Sequence, residues 1–356
     1  MSTGWDLLVA RDNLERVFLH NTPDPTELPL VPGEAVLTIE RFALTANNIT
    51  YGVMGEALGY WRCFPAPDWR GRIPVWGLAR VTRSASPEAP EGLRLFGLLP
   101  MSTHFVARLQ RTGGGYLDAA THRAGLSPVY NRYVHAKEEA FDDHRALLRP
   151  LFATSFLLDD LLYEAEYAGT RTVILSSASS KTALCLAWLL ARHGMKVVGL
   201  TSRKHLALLG GTGLYHQLVS YDAMAGLSVE TPAVFVDFAG DPAVVRGVHR
   251  QLKDGLSQSL GVGVTHQRSP PQPWNEPLPG PPPTFFFAPD RMRKRSAELG
   301  METLEARMDE AMRAFVAANS WLRIVRHHGP DALMAAYREV VSGQSSPDVG
   351  HIVHPA

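Results

Sequence analysis

Residues 171–204 read RTVILSSASSKTALCLAWLLARHGMKVVGLTSRK, and the small polar run inside them has the chemistry of an anion site. Ser179 and Ser180 can donate hydroxyl hydrogen bonds to phosphate oxygens, Lys181 adds a positive charge, and Ser177 and Thr182 belong to the same candidate site. A turn of this kind opening a helix also offers backbone amides and the positive end of the helix dipole. A dinucleotide turn ordinarily spells G-x-G-x-x-G, so that a diphosphate can approach bare backbone. Here Ser177, Ser180 and Ala183 occupy that three-residue spacing, and a ligand-free turn is the other reading of the same residues.

Twenty-odd residues further on, an NAD site calls for an acid to bind the ribose 2′-hydroxyl. This sequence has Thr201, Ser202, Arg203 and Lys204 and no acid. Two cations suit a 2′-phosphate, so the residues favour NADP(H), with Ser202, Arg203 and Lys204 around the phosphate. The alternative is that Arg203 and Lys204 only open a solvated helix.

The elements that must position these groups are legible. Residues 172–175 are β-branched or apolar without a polar break, as a strand buried on both faces should be. Residues 181–193 carry Ala183, Leu184, Leu186, Ala187, Leu189, Leu190 and Ala191, a largely buried helix stopped by Gly194. Residues 196–200 form a second buried strand, making a right-handed β-α-β unit with parallel strands. The sheet continues with strands at 217–221 and 233–238. After the second come Ala239, Gly240, Asp241 and Pro242, a turn and a helix start. By the switch-point rule this end of the sheet faces the ligand, which places Gly240 at the cofactor. Asp237 reads as a turn or capping acid, with a catalytic role as the alternative.

Residues 259–265 (SLGVGVT) read as a further strand, and His266 at its end can act as a general acid near neutral pH or stand as a surface histidine. Residues 268–283 contain eight prolines, which exclude a helix and favour an extended loop. Residues 284–288 (TFFFA) predict a strand, and 290–319 one or two amphipathic helices whose methionines serve the core.

With 356 residues, 45% of them hydrophobic and 20% charged, the chain has room for one or two globular domains. Its 35 basic and 35 acidic residues cancel, which removes an electrostatic case for nucleic acid or an anionic membrane. Two cysteines and no signal-like N-terminus fit a reducing cytoplasm, and no apolar run is long enough for a membrane span. There is no G-x-S-x-G elbow and no H-E-x-x-H, and the Ser180-Lys181-Thr182 end of a P-loop lacks its glycines. His327-His328 reads as a surface turn. Short strands at 5–10, 15–19, 33–47, 72–83, 93–100 and 104–108 suggest a small β-barrel.

Several stretches resemble the medium-chain dehydrogenase/reductase superfamily in its zinc-free, quinone-oxidoreductase-like branch. GEAVLTIERFALTANNITYGVMG is similar to its first catalytic-domain strand and loop, and IPVWGLARV to the next strand. LRLFGLLPMSTHFVARL resembles the strand pair before the linker helix, and TVILSSASSKTALCLAWLLARHGMKVVGLTSRK its nucleotide-binding β-α-β. Within the superfamily, SASSKTA resembles a bacterial family of unknown function. The zinc alcohol dehydrogenase pattern is missing: Asn47-Asn48 and Trp76-Gly77 stand in the ligand regions, and two cysteines cannot build a structural zinc lobe, so no metal is expected.

The resemblance implies an α/β fold with a Rossmann nucleotide-binding domain and a GroES-like β-barrel-type catalytic domain. It places the catalytic domain at 1–140, completed by 293–356, and the Rossmann domain at 141–292, entered by a helix at 155–167, with the active site in the cleft between them. It implies an NADPH-dependent reductase acting on a small carbonyl, quinone, enone or enoyl substrate, as a cytoplasmic homodimer joined near 285–287. A silent relative that binds a nucleotide or acyl ligand is the alternative. In the resembled enoyl reductases a loop tyrosine donates to the substrate. Tyr60 matches it best here and Tyr51 second, and either can instead be a core aromatic. Tyr221 falls where a tyrosine lies near the adenosine phosphate, with an ordinary strand-end tyrosine as the alternative.

Overall fold

The computed structural model describes residues 4–262 and 277–355. The chain divides into two compact units, Met1–Leu148 with Leu322–Ala356, and Arg149–Trp321.

The first unit opens with a hairpin of β1 (Gly4–Ala10) and β2 (Asn13–Thr22). Next come β3 (Glu34–Leu44), α1 (Ala46–Val53), β4 (Arg70–Gly71), β5 (Pro74–Ser84) and β6 (Arg94–Pro100). After them stand β7 (His104–Thr112), β8 (Gly115–Asp118), α2 (Pro128–Asn131) and β9 (Arg132–His135). The strands run β3-β5-β6-β9-β8-β7, and β7 pairs back onto β3, so the sheet closes into a barrel. Alternate residues fill it: Ala35, Leu37 and Ile39 meet Ala79, Val81, Leu95, Leu99, Ala107 and Leu109 in one buried cluster. The period-2 pattern in the sequence is thus the pattern of an inside and an outside.

The helix α3 (Asp142–Glu164) carries the chain into the second unit, and is longer than the 155–167 segment expected from sequence. The elements are β10 (Thr172–Leu175), α4 (Lys181–Arg192), β11 (Lys196–Thr201), α5 (Leu206–Gly210) and β12 (Gln217–Ser220). Then follow β13 (Ala233–Asp237), α6 (Pro242–Leu252), β14 (Leu256–Gly261) and the two-residue β15 (Thr284–Phe285). All pairings in the order β12-β11-β10-β13-β14-β15 are parallel. The chain leaves β10 toward one edge and restarts at β13 on its other side, so a switch point lies between β10 and β13. Burial explains the unbroken apolar strand: Val173 and Leu175 belong to the core that holds α4, and Ile174 to the core that holds α6.

The expected strand at 284–288 shrinks to two residues because α7 (Ala288–Leu299) starts there with a proline in its first turn. Gly300, at φ +81°, separates α7 from α8 (Met301–Ala318), which buries Leu304, Met308, Met312 and Phe315. Both helices stay in the second unit, so the chain returns to the first at Leu322 and not near 293. It returns as β16 (Arg323–His328), α9 (Gly329–Val341) and β17 (Val349–His354). The parallel pair β16 and β17 extends the sheet from β3. His327 and His328 therefore end a strand and do not form a surface turn: His327 Nε2 lies 3.0 Å from His351 Nδ1, and His328 stacks on His354.

At Gly77 the barrel backbone comes close enough that only glycine fits. A Cβ on Gly77 of β5 would fall 2.7 Å from Phe42 Cα and strike the carbonyl oxygen of Arg41 on β3. Gly77→Ala is expected to cost at least about 2 kcal/mol of stability, because backbone cannot yield as a flexible side chain does. At Gly113 a Cβ meets nothing within 4 Å, and Gly113→Ala should change stability by less than about 0.5 kcal/mol. Urea denaturation of both variants checks this, and equal midpoints would contradict it.

Candidate functional site

Strand β10 ends at Leu175, and the residues after it form a tight, internally bonded turn. Ser176 is fully buried and clasped to β13: its Oγ bonds the Asp237 carboxylate and accepts from Phe238 N at 2.8 Å and Ala239 N at 3.0 Å. Asp237 also accepts from Ala239 N and Gly240 N, each at 3.1 Å. Burial pushes its carboxyl up from the ordinary range, and these bonds pull back against that rise. Asp237 is thus the brace between two strand ends, and Gly240, at φ +66°, is held by it.

Ser177 adopts a left-handed backbone, φ +47°, the conformation that a fingerprint glycine supplies without strain. Its amide donates to Tyr221 Oη at 2.8 Å, and its carbonyl accepts from Ser180 N at 2.8 Å. Ser180 caps α4, its Oγ accepting from Ala183 N at 3.2 Å. Ser179, Ser180, Lys181 and Thr182 are half-buried in the turn and first helical residues. At the end of β11, Ser202 Oγ lies 3.2 Å from His205 Nδ1. Arg203 and Lys204 are exposed, and Arg203 pairs with Asp222 at 3.0 Å. Tyr221 directly precedes that acid. Burial pushes its phenol up to about 12, so it keeps its proton at neutral pH, and with its oxygen accepting from Ser177 that proton remains to be donated.

The expected cofactor residues Ser177, Ser179, Ser180, Lys181, Thr182, Ser202, Arg203, Lys204, Tyr221 and Gly240 thus all stand at or just beyond the carboxyl ends of β10, β11, β12 and β13. The donors suit a diphosphate: hydroxyls, a lysine and the start of a twelve-residue helix.

The family model described as "Protein of unknown function (DUF2855)" matches residues 42–346. The chain belongs to this family. No curated protein matches it in sequence. Among solved structures it is similar to CurA from Vibrio vulnificus in complex with NADPH, at 12% identity, 99% coverage of both chains and a TM-score of 0.65. It is similar to the quinone oxidoreductase from Coxiella burnetii, at 12% identity, full coverage of both chains and a TM-score of 0.59. A third is the Etr1p/NADP/crotonyl-CoA complex, at 13% identity, 99% coverage of this chain and 100% of the other, and a TM-score of 0.58. At these identities the likeness is one of fold, and the family member has the Rossmann and GroES-like fold of the medium-chain dehydrogenase/reductases.

In the first unit of this DUF2855 member, the two expected catalytic tyrosines meet. Tyr51 on α1 and Tyr60, which follows Gly59 at φ +74°, have ring centroids 4.6 Å apart. Both are buried, at 7% and 5% exposure, so their hydroxyls are already engaged within the protein. Tyr60 Oη lies 2.8 Å from Tyr130 Oη, and Tyr51 Oη accepts from Trp76 Nε1 at 3.0 Å. Cys63 is buried in the same cluster, and burial raises its thiol to about 11. Tyr130 escaped the sequence reading because it lies 70 residues from Tyr60 on a four-residue helix with no periodic signal. Asp222 carries no local signal, because it meets Arg203 only through the pairing of β12 with β11. His266 lies outside the described residues. Among the described residues no group of three or more His, Cys, Asp or Glu can hold a metal ion.

Burial raises the phenols of Tyr51, Tyr60 and Tyr130 well above the ordinary value, with each further raised by a neighbouring tyrosine. A phenol whose folded pKa exceeds its unfolded value stabilises the fold below about pH 10, and that stability is lost as pH rises above it. Alkaline absorbance titration should therefore leave these phenols protonated until unfolding releases them together. All ten tyrosines ionising near pH 10 in folded protein would contradict this.

Proposed function

We propose that the protein is an NADPH-dependent oxidoreductase that works without zinc and reduces a carbonyl or an activated carbon–carbon double bond of quinone, enone or enoyl type. The observation that carries this reading is the pairing of a polar turn after β10 with a cationic, acid-free end of β11 at Arg203 and Lys204. It is supported by the likeness in fold to CurA in complex with NADPH and to the Etr1p/NADP/crotonyl-CoA complex.

In this reading Ser179, Ser180, Lys181 and Thr182 hold the diphosphate, Tyr221 donates its phenol proton to it, and Ser202, Arg203 and Lys204 receive the 2′-phosphate. The cofactor, when bound, supplies the hydride. What remains for the protein is a proton and an oxygen-stabilising donor. Tyr60 is the first candidate and Tyr51 the second, since each phenol carries a proton to donate at neutral pH. Residues Asn47-Asn48 and Trp76-Gly77, in place of metal ligands, support chemistry without zinc. A cytoplasmic homodimer joined at the edge strand β15, where Phe285 is 67% exposed, completes the reading. No described helix is long and apolar enough to cross a membrane.

Two observations favour a second reading, a relative that binds a nucleotide or acyl ligand without turnover. The Ser177 amide is already bonded to Tyr221, and Tyr60 is buried against Tyr130. Following NADPH absorbance with enones, quinones and aldehydes separates the two. The oxidoreductase reading expects NADPH consumption with at least one class, tighter binding of NADPH than of NADH, and a loss of about 10²-fold or more in kcat for Tyr60→Phe at unchanged NADPH affinity. Binding without consumption across the panel supports the silent reading, and an absence of binding with either cofactor removes both the cofactor and the reaction.

A further inference from the structure

We infer that Asp222 is a specificity-determining residue: its carboxylate, paired with Arg203, holds back the preference of the site for an adenosine 2′-phosphate. This inference rests on the cofactor reading above and adds to it a group that opposes the phosphate.

Arg203 reaches Asp222 twice, through Nε at 3.1 Å and Nη2 at 3.0 Å, both to the same carboxylate oxygen. Among the described residues this is the one carboxylate within ion-pair distance of Arg203. The pair spans the ends of two adjacent strands: Arg203 follows β11, and Asp222 follows β12. Asp222 also comes directly after Tyr221, whose hydroxyl holds the Ser177 amide of the turn. Two consecutive residues thus engage the groups proposed to meet the two phosphate positions. Their effects differ in sign. Tyr221 accepts from an amide and keeps a proton to give, so it passes a donor onward. Asp222 is an anion with nothing to donate, and it sits where another anion would have to come.

A 2′-phosphate must therefore share Arg203 with a carboxylate and tolerate the charge of that carboxylate nearby. A ribose 2′-hydroxyl has no such conflict. The pair is solvent-exposed, with 77% of the Arg203 side chain and 57% of the Asp222 side chain accessible, so its influence is graded rather than absolute. The same exposure means that changing Asp222 removes no buried contact, and Asp222→Asn should fold as the parent does.

The test is isothermal titration of the full chain and its Asp222→Asn and Arg203→Ala variants with NADPH, NADH and the fragment 2′,5′-ADP, at low and high salt. Asp222→Asn is expected to tighten NADPH and 2′,5′-ADP by about threefold to fivefold at low salt and to leave NADH within about twofold, with the gain shrinking as salt rises. Arg203→Ala should weaken NADPH and 2′,5′-ADP and leave NADH within about twofold. If both cofactors bind but Asp222→Asn leaves their ratio unchanged, the role of Asp222 is overturned while the cofactor reading stands. If neither cofactor nor the fragment binds the parent chain, the cofactor reading fails and this inference fails with it.

Discussion

Everything in the second unit depends on β10 being buried on both faces. Val173 and Leu175 face one core and Ile174 the other, and each such side chain removed from water contributes about 1.5–3 kcal/mol. A strand held this way cannot slip by one residue without exchanging its two faces. The position of the turn that follows is therefore fixed by hydrophobic burial. The polar groups that emerge at its end must then be satisfied locally, and the Ser176–Asp237 clasp does this by tying β10 to β13 across the switch point. The turn inherits its shape from that constraint, which is how Ser177 comes to hold a left-handed backbone without being glycine.

The first unit solves a different problem. A closed barrel abolishes the free edges of its sheet and sorts side chains into an inside and an outside. The loop and α1 segment after β3 lies outside that sorting, and it gathers Tyr51, Tyr60 and Tyr130 around Cys63 and Phe64. Three phenols in one apolar cluster are unusual core material, because each hydroxyl demands a partner when buried. Here the partners are one another and Trp76. Burial raises the phenols against the opposing pull of the bonds at Tyr51 and Tyr60, and a protonated phenol serves packing and proton donation alike.

Much of this was legible in the sequence because it follows from local pattern. The bounds of β10 and the start of α4 come directly from an unbroken apolar run and the small polar turn that ends it before the helical pattern begins. The turn residues and the cations after β11 follow from spacing alone. What was not legible is what depends on contacts between distant residues. Tyr130 meets Tyr60 through the barrel's connectivity, and Asp222 meets Arg203 because β12 lies beside β11. The end of the second unit was misplaced for a related reason: α7 and α8 carry amphipathic patterns that state what they bury but not in which unit. The two histidines at 327 and 328 looked like a turn because their partners, His351 and His354, stand 24 or more residues later on a neighbouring strand.

The central claim is that the turn after β10 receives a diphosphate. A crystal structure of the protein grown with excess NADPH tests it most directly. The diphosphate is expected against Ser179, Ser180 and Lys181 at the start of α4, with the Tyr221 hydroxyl donating to it and the 2′-phosphate beside Arg203. Cofactor bound elsewhere, or a turn still closed on its own side chains at saturating NADPH, would contradict it.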